Sequence, residues 1–138
     1  MKKVIDASLA VKWYVAENYT AEAEKLLDGS FDLHAPELII PEFGSIIWKK
    51  IRIKDLTAPE GSQIIDVFRK QKITFHSHAP LAKVAFTGAQ MTGQTVYDWS
   101  YLALAVSLDC EFVTADERFY KALEKTRLKK HLLWVGDI

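Results

Sequence analysis

Lys3-Val4-Ile5-Asp6 is the stretch that decides the fold of this chain. Three residues with aliphatic stems lead into a carboxylate, and Ala7-Ser8 opens a new segment. A short β-branched run bounded in this way reads as a buried strand. The first strand of an α/β chain is commonly central, with later units added on both sides. An Asp at its carboxyl end then faces the crevice where open parallel sheets bind ligands. A lone carboxylate is costly to bury without a cation or hydrogen-bond donors. The decisive question is whether other acids arrive at the same place.

The rest of the chain supplies the remaining strands and helices. Ser8 is a candidate cap for a helix to about Ala16, with Leu9, Trp13 and Val15 inward. Thr20 starts a second helix, stopped by Asp28-Gly29. Phe31 to Ala35 alternates and reads as a strand ending at Pro36. A longer helix runs from about Leu38 to Ile53, with Pro41 in its first turn. Thr57-Ala58-Pro59-Glu60 is a capping box opening a helix to about Gln71. Ile73 to His76 is a strand, and Pro80 to Met91 is a helix closed by Gly93. Tyr97 to Leu108 is apolar almost all round, which predicts a buried helix. Glu111 to Thr114 is a strand, Asp116 to about Thr126 a helix, and Leu132 to Val135 a last strand. These elements predict one domain over 1–138: a three-layer α/β sandwich around a parallel five-stranded sheet, with the first strand central.

Composition narrows the function. The chain is 49% hydrophobic, enough for a sizeable core, and 18 Lys+Arg balance 18 Asp+Glu. That balance excludes a polybasic nucleic-acid binder but leaves room for local patches. Cys110 is the single cysteine, so no intrachain disulfide forms and a reducing cytoplasm is expected. Asp6 interrupts the apolar run that a signal peptide needs, and no run approaches membrane-spanning length.

Four acids stand in telling places. Asp6 ends the first strand, and Asp98 lies in the first turn of the most buried helix. Asp116 follows Thr114-Ala115 at the end of the fourth strand. Glu42 shares a helix face with Leu38, Ile39, Ser45 and Ile46. Each Asp has a plainer explanation as a helix cap. Glu42 resists one, because Glu is rarely buried without a partner. Converging carboxylates raise one another's pKa, and a hard divalent cation relieves the repulsion. Oxygen donors suit Mg²⁺ or Mn²⁺, which meet phosphates and keep several waters. His34, His76, His78 and His131 are scattered and read as structural or surface groups rather than zinc ligands. Neither a P-loop nor a glycine-rich nucleotide fingerprint is present, which leaves phosphodiester hydrolysis or a phospho-acceptor pocket.

Val4-Ile5-Asp6-Ala7-Ser8, Pro41-Glu42, Tyr97-Asp98 with Tyr101-Leu102-Ala103-Leu104-Ala105, and Val113-Thr114-Ala115-Asp116-Glu117-Arg118-Phe119 together resemble the PIN domain, and within it the VapC-type toxins. The resemblance spans essentially the whole chain in order and spacing. It implies a Mg²⁺- or Mn²⁺-dependent endoribonuclease, silenced by a small cognate antitoxin and assembled as a homodimer. It maps the family's metal-binding acids onto Asp6, Glu42, Asp98 and Asp116, with Thr114 as the hydroxyl beside them and Ser8 as a weaker candidate. Many relatives carry Asn three residues after the helical acid; here that place is Ser45.

Substrate contacts are less legible. Lys12, Lys49, Lys50, Arg52, Lys54 and Arg118 are candidates for RNA phosphates, against the plainer view of a solvated helix face. Trp13, Tyr14 and Trp48 are candidates for base stacking, dimer packing or core. Tyr19, Trp48 and Ile53 mark a dimer surface on the second and third helices. Two other classes compete with a nuclease. One is a PIN-like module that binds RNA or protein without cutting. The other is a receiver-like phospho-acceptor, disfavoured because the first strand ends in one acid and no Lys follows the last.

Overall fold

The computed structural model describes residues 1–138. Five strands form one parallel sheet: β1 (Lys2–Ile5), β2 (Asp32–Pro36), β3 (Thr74–His76), β4 (Glu111–Thr114) and β5 (Leu132–Trp134). Their order is β3-β2-β1-β4-β5, so the first strand is central as the sequence predicts. Val4 lies opposite His34 on one side and Phe112 on the other. Helices α1 (Ala7–Val11), α2 (Thr20–Glu24), α3 (Ile39–Arg52), α4 (Ala58–Phe68), α5 (Ala82–Thr92), α6 (Val96–Ser107) and α7 (Glu117–Leu123) flank the sheet. None is long and apolar enough to cross a membrane.

Local chemistry explains the boundaries, including those that differ from expectation. Asp6, not Ser8, caps α1: its Oδ1 accepts from the Leu9 N–H at 2.8 Å, and Ser8 is exposed. The first helix ends at Val11 rather than near Ala16. The Lys12, Trp13 and Tyr14 N–H groups reach back only three residues, and Trp13 Nε1 donates to the Ala23 carbonyl at 2.9 Å. Trp13 is therefore core, and half-buried Tyr14 meets it and Phe43 edge-on. β2 does not alternate. Leu33 to Pro36 are all buried, as befits a strand covered on both faces. β3 lies at the edge and is short and mostly exposed. The capping box at Thr57 and Glu60 forms with both reciprocal bonds. A 3₁₀ turn over Ala79–Leu81 precedes α5, and Gly93 closes it at φ 73.

α6 is the central buried helix. Trp99 through Ala105 are buried without interruption, while Tyr97 and Val106 at its ends are exposed. Its Trp99 ring lies on Gly88 of α5, and Trp99 Nε1 donates to Thr92 Oγ1 at 2.8 Å. A Cβ at residue 88 would stand 2.3 Å from the ring. Ala at a helix interior gains about 1 kcal/mol over Gly. Overpacking against an aromatic ring costs about 1–3 kcal/mol. Gly88→Ala is therefore expected to lower Tm by several degrees in a thermal melt; an unchanged or raised Tm would contradict this packing.

Candidate active site

The four acids reach the carboxyl rim of the sheet from four different elements. Asp6 leaves β1 and caps α1. Glu42 lies in the first turn of α3, which follows β2. Asp98 lies in the first turn of α6, and Asp116 leaves β4 and caps α7. The cap explanation divides them. It holds for Asp6, and for Asp116, whose Oδ1 accepts from the Phe119 N–H at 3.1 Å. It fails for Asp98, because Thr95 caps α6 and its Oγ1 accepts from the Asp98 N–H at 3.0 Å. Capping does not occupy a carboxylate. No hydrogen bond within the chain engages Asp6 Oδ2 or Asp116 Oδ2.

Electrostatics ties the four together. Asp6 is only 8% exposed, and its carboxyl is pushed from 3.8 up to about 7. Burial is the main cause, offset in part by the Leu9 N–H, and the charges of Asp98, Glu42 and Asp116 each add to it. Glu42 and Asp98 are also raised, first by burial and then by the charges of Asp98 and Asp116 respectively. No basic side chain compensates. The ion pairs to Lys are Lys3–Glu111, Lys12–Glu17, Lys50–Glu17 and Lys121–Glu117. The site is thus a concentration of negative charge that lacks a counter-ion from the chain itself.

Thr114 is fully buried, and its Oγ1 accepts from the Asp116 N–H at 3.0 Å. That bond braces the turn that presents Asp116. Ser8 and Ser45 are exposed. Tyr101 is the residue whose role sequence reasoning missed, having counted as core of the buried helix and as part of the motif after Asp98. Its hydroxyl donates to Glu42 Oε1 at 2.7 Å, and its own ionisation is strongly disfavoured by burial and by Glu42. The bond holds one oxygen of Glu42. The available signal was that Tyr101 lies three residues after Asp98, on the same helix face.

These donors fit a hard divalent cation. They are all oxygens, mutually repelling and unpaired with Lys or Arg. No three acidic, histidine or cysteine side chains stand close enough to clasp a single ion among them. Mg²⁺ does not require such a clasp, because it retains waters and binds through one or two carboxylates. The histidines lie elsewhere. His34 Nδ1 and His76 Nε2 are 2.8 Å apart across β2 and β3, a contact the sequence did not foretell. His131 Nδ1 lies 2.9 Å from the Cys110 carbonyl, and His78 is exposed.

With this geometry in place, likeness to known proteins is informative. The family profile described as "PIN domain" matches residues 3–125. Ribonuclease VapC3 of Pyrobaculum aerophilum is 34% identical over 122 residues, which cover 86% of this chain and 92% of that protein. The crystal structure of PAE2754 from Pyrobaculum aerophilum covers 99% of this chain and 85% of its own, at 24% identity and TM-score 0.71. VapBC2 from Rickettsia felis, solved bound to a DNA fragment from its promoter, covers 97% and 98% at 11% identity and TM-score 0.64. At such identities the two structures bear on the fold alone.

Proposed function

This chain belongs to the PIN domain family, and on that premise we propose that it is a divalent-metal-dependent endoribonuclease cutting single-stranded RNA, the toxin of a toxin–antitoxin pair. The observation that carries this is the counter-ion deficit at Asp6, Glu42, Asp98 and Asp116. Asp6, Glu42, Asp98 and Asp116 would hold a Mg²⁺ or Mn²⁺ ion, which would supply Lewis acidity for the scissile phosphate and activate the attacking water. The chain's own groups do the positioning. Leu9, Tyr101 and Phe119 each hold one carboxylate oxygen of Asp6, Glu42 and Asp116. Thr114 braces the Asp116 turn. All four acids and Thr114 are assigned to the site, the acids as metal-holding groups.

A relative named as a ribonuclease supports RNA as the substrate. A binding module without catalysis is the second possibility, and the unneutralised acids weigh against it. We extend the proposal to a cytoplasmic homodimer and a cognate antitoxin. Trp48 on α3 and Ile53 just past its end are 57% and 58% exposed, which favours an interface there. Tyr19 packs edge-on against Trp134 and stays 41% exposed. A monomer in light scattering at micromolar concentration would contradict the dimer. An antitoxin Arg laid over the acids is the chemistry that would silence them.

The test is cleavage of a labelled RNA offered as a single strand and as a duplex of the same sequence, with Mg²⁺. The single strand should be cut at least about tenfold faster, because unstacked nucleotides splay into a cleft that a stiff A-form helix cannot enter. Equal rates, or no cutting of either, would contradict the proposal.

A further inference from the structure

Beside the acids lies a groove of about 550 Å³, lined by Ser8, Lys12, Glu17, Ile46, Lys50 and Asp116 among others. It continues one face of α3: Glu42, Ile46 and Lys50 follow at helical spacing, with Ile53 just past the helix end. Lys50 lies about 12 Å along the helix from Glu42. Within the groove Glu17 takes both lysines at once, with Lys50 Nζ 2.9 Å from Oε2 and Lys12 Nζ 3.5 Å from Oε1. The two lysine side chains are only 12% and 16% exposed. Glu17 is itself held in the turn before α2, its N–H donating to Thr20 Oγ1 at 2.9 Å.

An ordinary surface ion pair is worth little and needs no further explanation. This arrangement differs in its balance. Two lysines with largely covered side chains share a single carboxylate, and Lys49 lines the same groove. A phosphate that takes the place of Glu17 would keep both ammonium groups paired. Of the six basic residues that the sequence offered, the remaining three are placed differently. Arg52 lies over the Trp48 ring, and neither Lys54 nor Arg118 lines the groove.

We propose that Lys12 and Lys50 form a backbone-phosphate subsite for the RNA strand, a few nucleotides from the cut, and that Glu17 occupies it until RNA displaces it. This rests on the ribonuclease reading and assigns the path of that substrate along α3. Glu17 acts as an internal competitor: it keeps the lysines aimed into the groove and sets how much affinity the strand must bring.

The test uses a fluorescein-labelled single-stranded RNA bound to the full chain carrying Asp98→Asn, over a range of KCl concentrations. Lys12→Gln and Lys50→Gln should each weaken binding and make the salt dependence shallower by about 0.7 in log–log slope, the release expected for one phosphate contact on a single strand. Glu17→Gln should tighten binding several-fold. It keeps the shape and removes only the competing charge, so it reads with opposite sign even if a lysine variant folds poorly. With Asp98 restored, the lysine variants should raise KM more than they lower kcat. Unchanged affinity and slope in both lysine variants, with wild-type cutting intact, would overturn the subsite and leave the nuclease standing. Lysine effects as described, with no cutting by the wild-type chain, would support the subsite and overturn the nuclease.

Discussion

Asp98→Asn is expected to leave a folded chain that cuts RNA at least about a hundredfold more slowly. A metal-held carboxylate contributes several kcal/mol of transition-state stabilisation, and each 1.36 kcal/mol is tenfold in rate. The fold should survive because Asp98 is not the cap of α6; Thr95 is. Loss of a negative charge near the helix start costs about 0.3–1 kcal/mol, and relief of repulsion from Asp116 offsets it. Asp6→Asn sharpens the test. Asn caps a helix about as well as Asp, so the bond to Leu9 N–H persists. If Asp6 were only a cap, its Asn variant would cut normally. If Asp6 holds the metal, cutting collapses while the cap remains. Near wild-type activity in both variants would sink the site assignment. A parallel melt shows whether the fold was kept.

The second large effect is on stability, and its sign runs against the usual one for a carboxylate. Asp6 is pushed up to about 7 in the folded chain, while an unfolded Asp ionises near 3.8. Between those values the folded chain holds a proton that the unfolded chain has released. Stability without divalent metal therefore falls as pH rises through this window, by roughly a few kcal/mol, since each tenfold change in proton affinity is worth about 1.36 kcal/mol. Glu42 and Asp98, raised for the same reasons, act in the same direction. His76, lowered by burial and by His34, acts in the opposite one. The clean quantity is the difference between wild type and Asp6→Asn, in which His76 is common to both. The wild-type chain should lose Tm relative to the variant from pH 4 to pH 8, measured in chelator. Millimolar Mg²⁺ should restore most of that loss at pH 8 and little at pH 4, because the ion binds the ionised site. Parallel pH curves for the two chains would show that Asp6 is not raised in the folded chain.

Much of this was legible because the deciding chemistry is local. A β-branched run ending in a carboxylate marks Asp6 as the end of a central strand, and the register of β1 with β2 and β4 agrees. The near-continuous apolarity of Trp99 to Ala105, broken only by Ser100, marks α6 as buried for the same reason. What escaped depends on contacts distant in sequence. Tyr101 and Glu42 are 59 positions apart, and no periodicity links them. His34 and His76 meet because β2 and β3 are neighbours, which their spacing of 42 does not disclose. The apparent alternation of β2 misled because both its faces are covered. Helix ends were misjudged where a side chain competed for the backbone, with Asp6 displacing Ser8 as cap of α1. Lys12 and Lys50 looked like any solvated lysines until Glu17 brought them together.

The central claim is that four carboxylates form one metal-dependent cutting site. The direct measurement is cleavage of a single-stranded RNA by the purified wild-type chain, stripped with EDTA and then titrated with Mg²⁺ or Mn²⁺, beside Asp98→Asn. Cutting should be absent in chelator, return with added ion, and stay at least about a hundredfold lower in the variant at every ion concentration. Undiminished cutting in EDTA, or ion-dependent cutting that Asp98→Asn does not reduce, would contradict it.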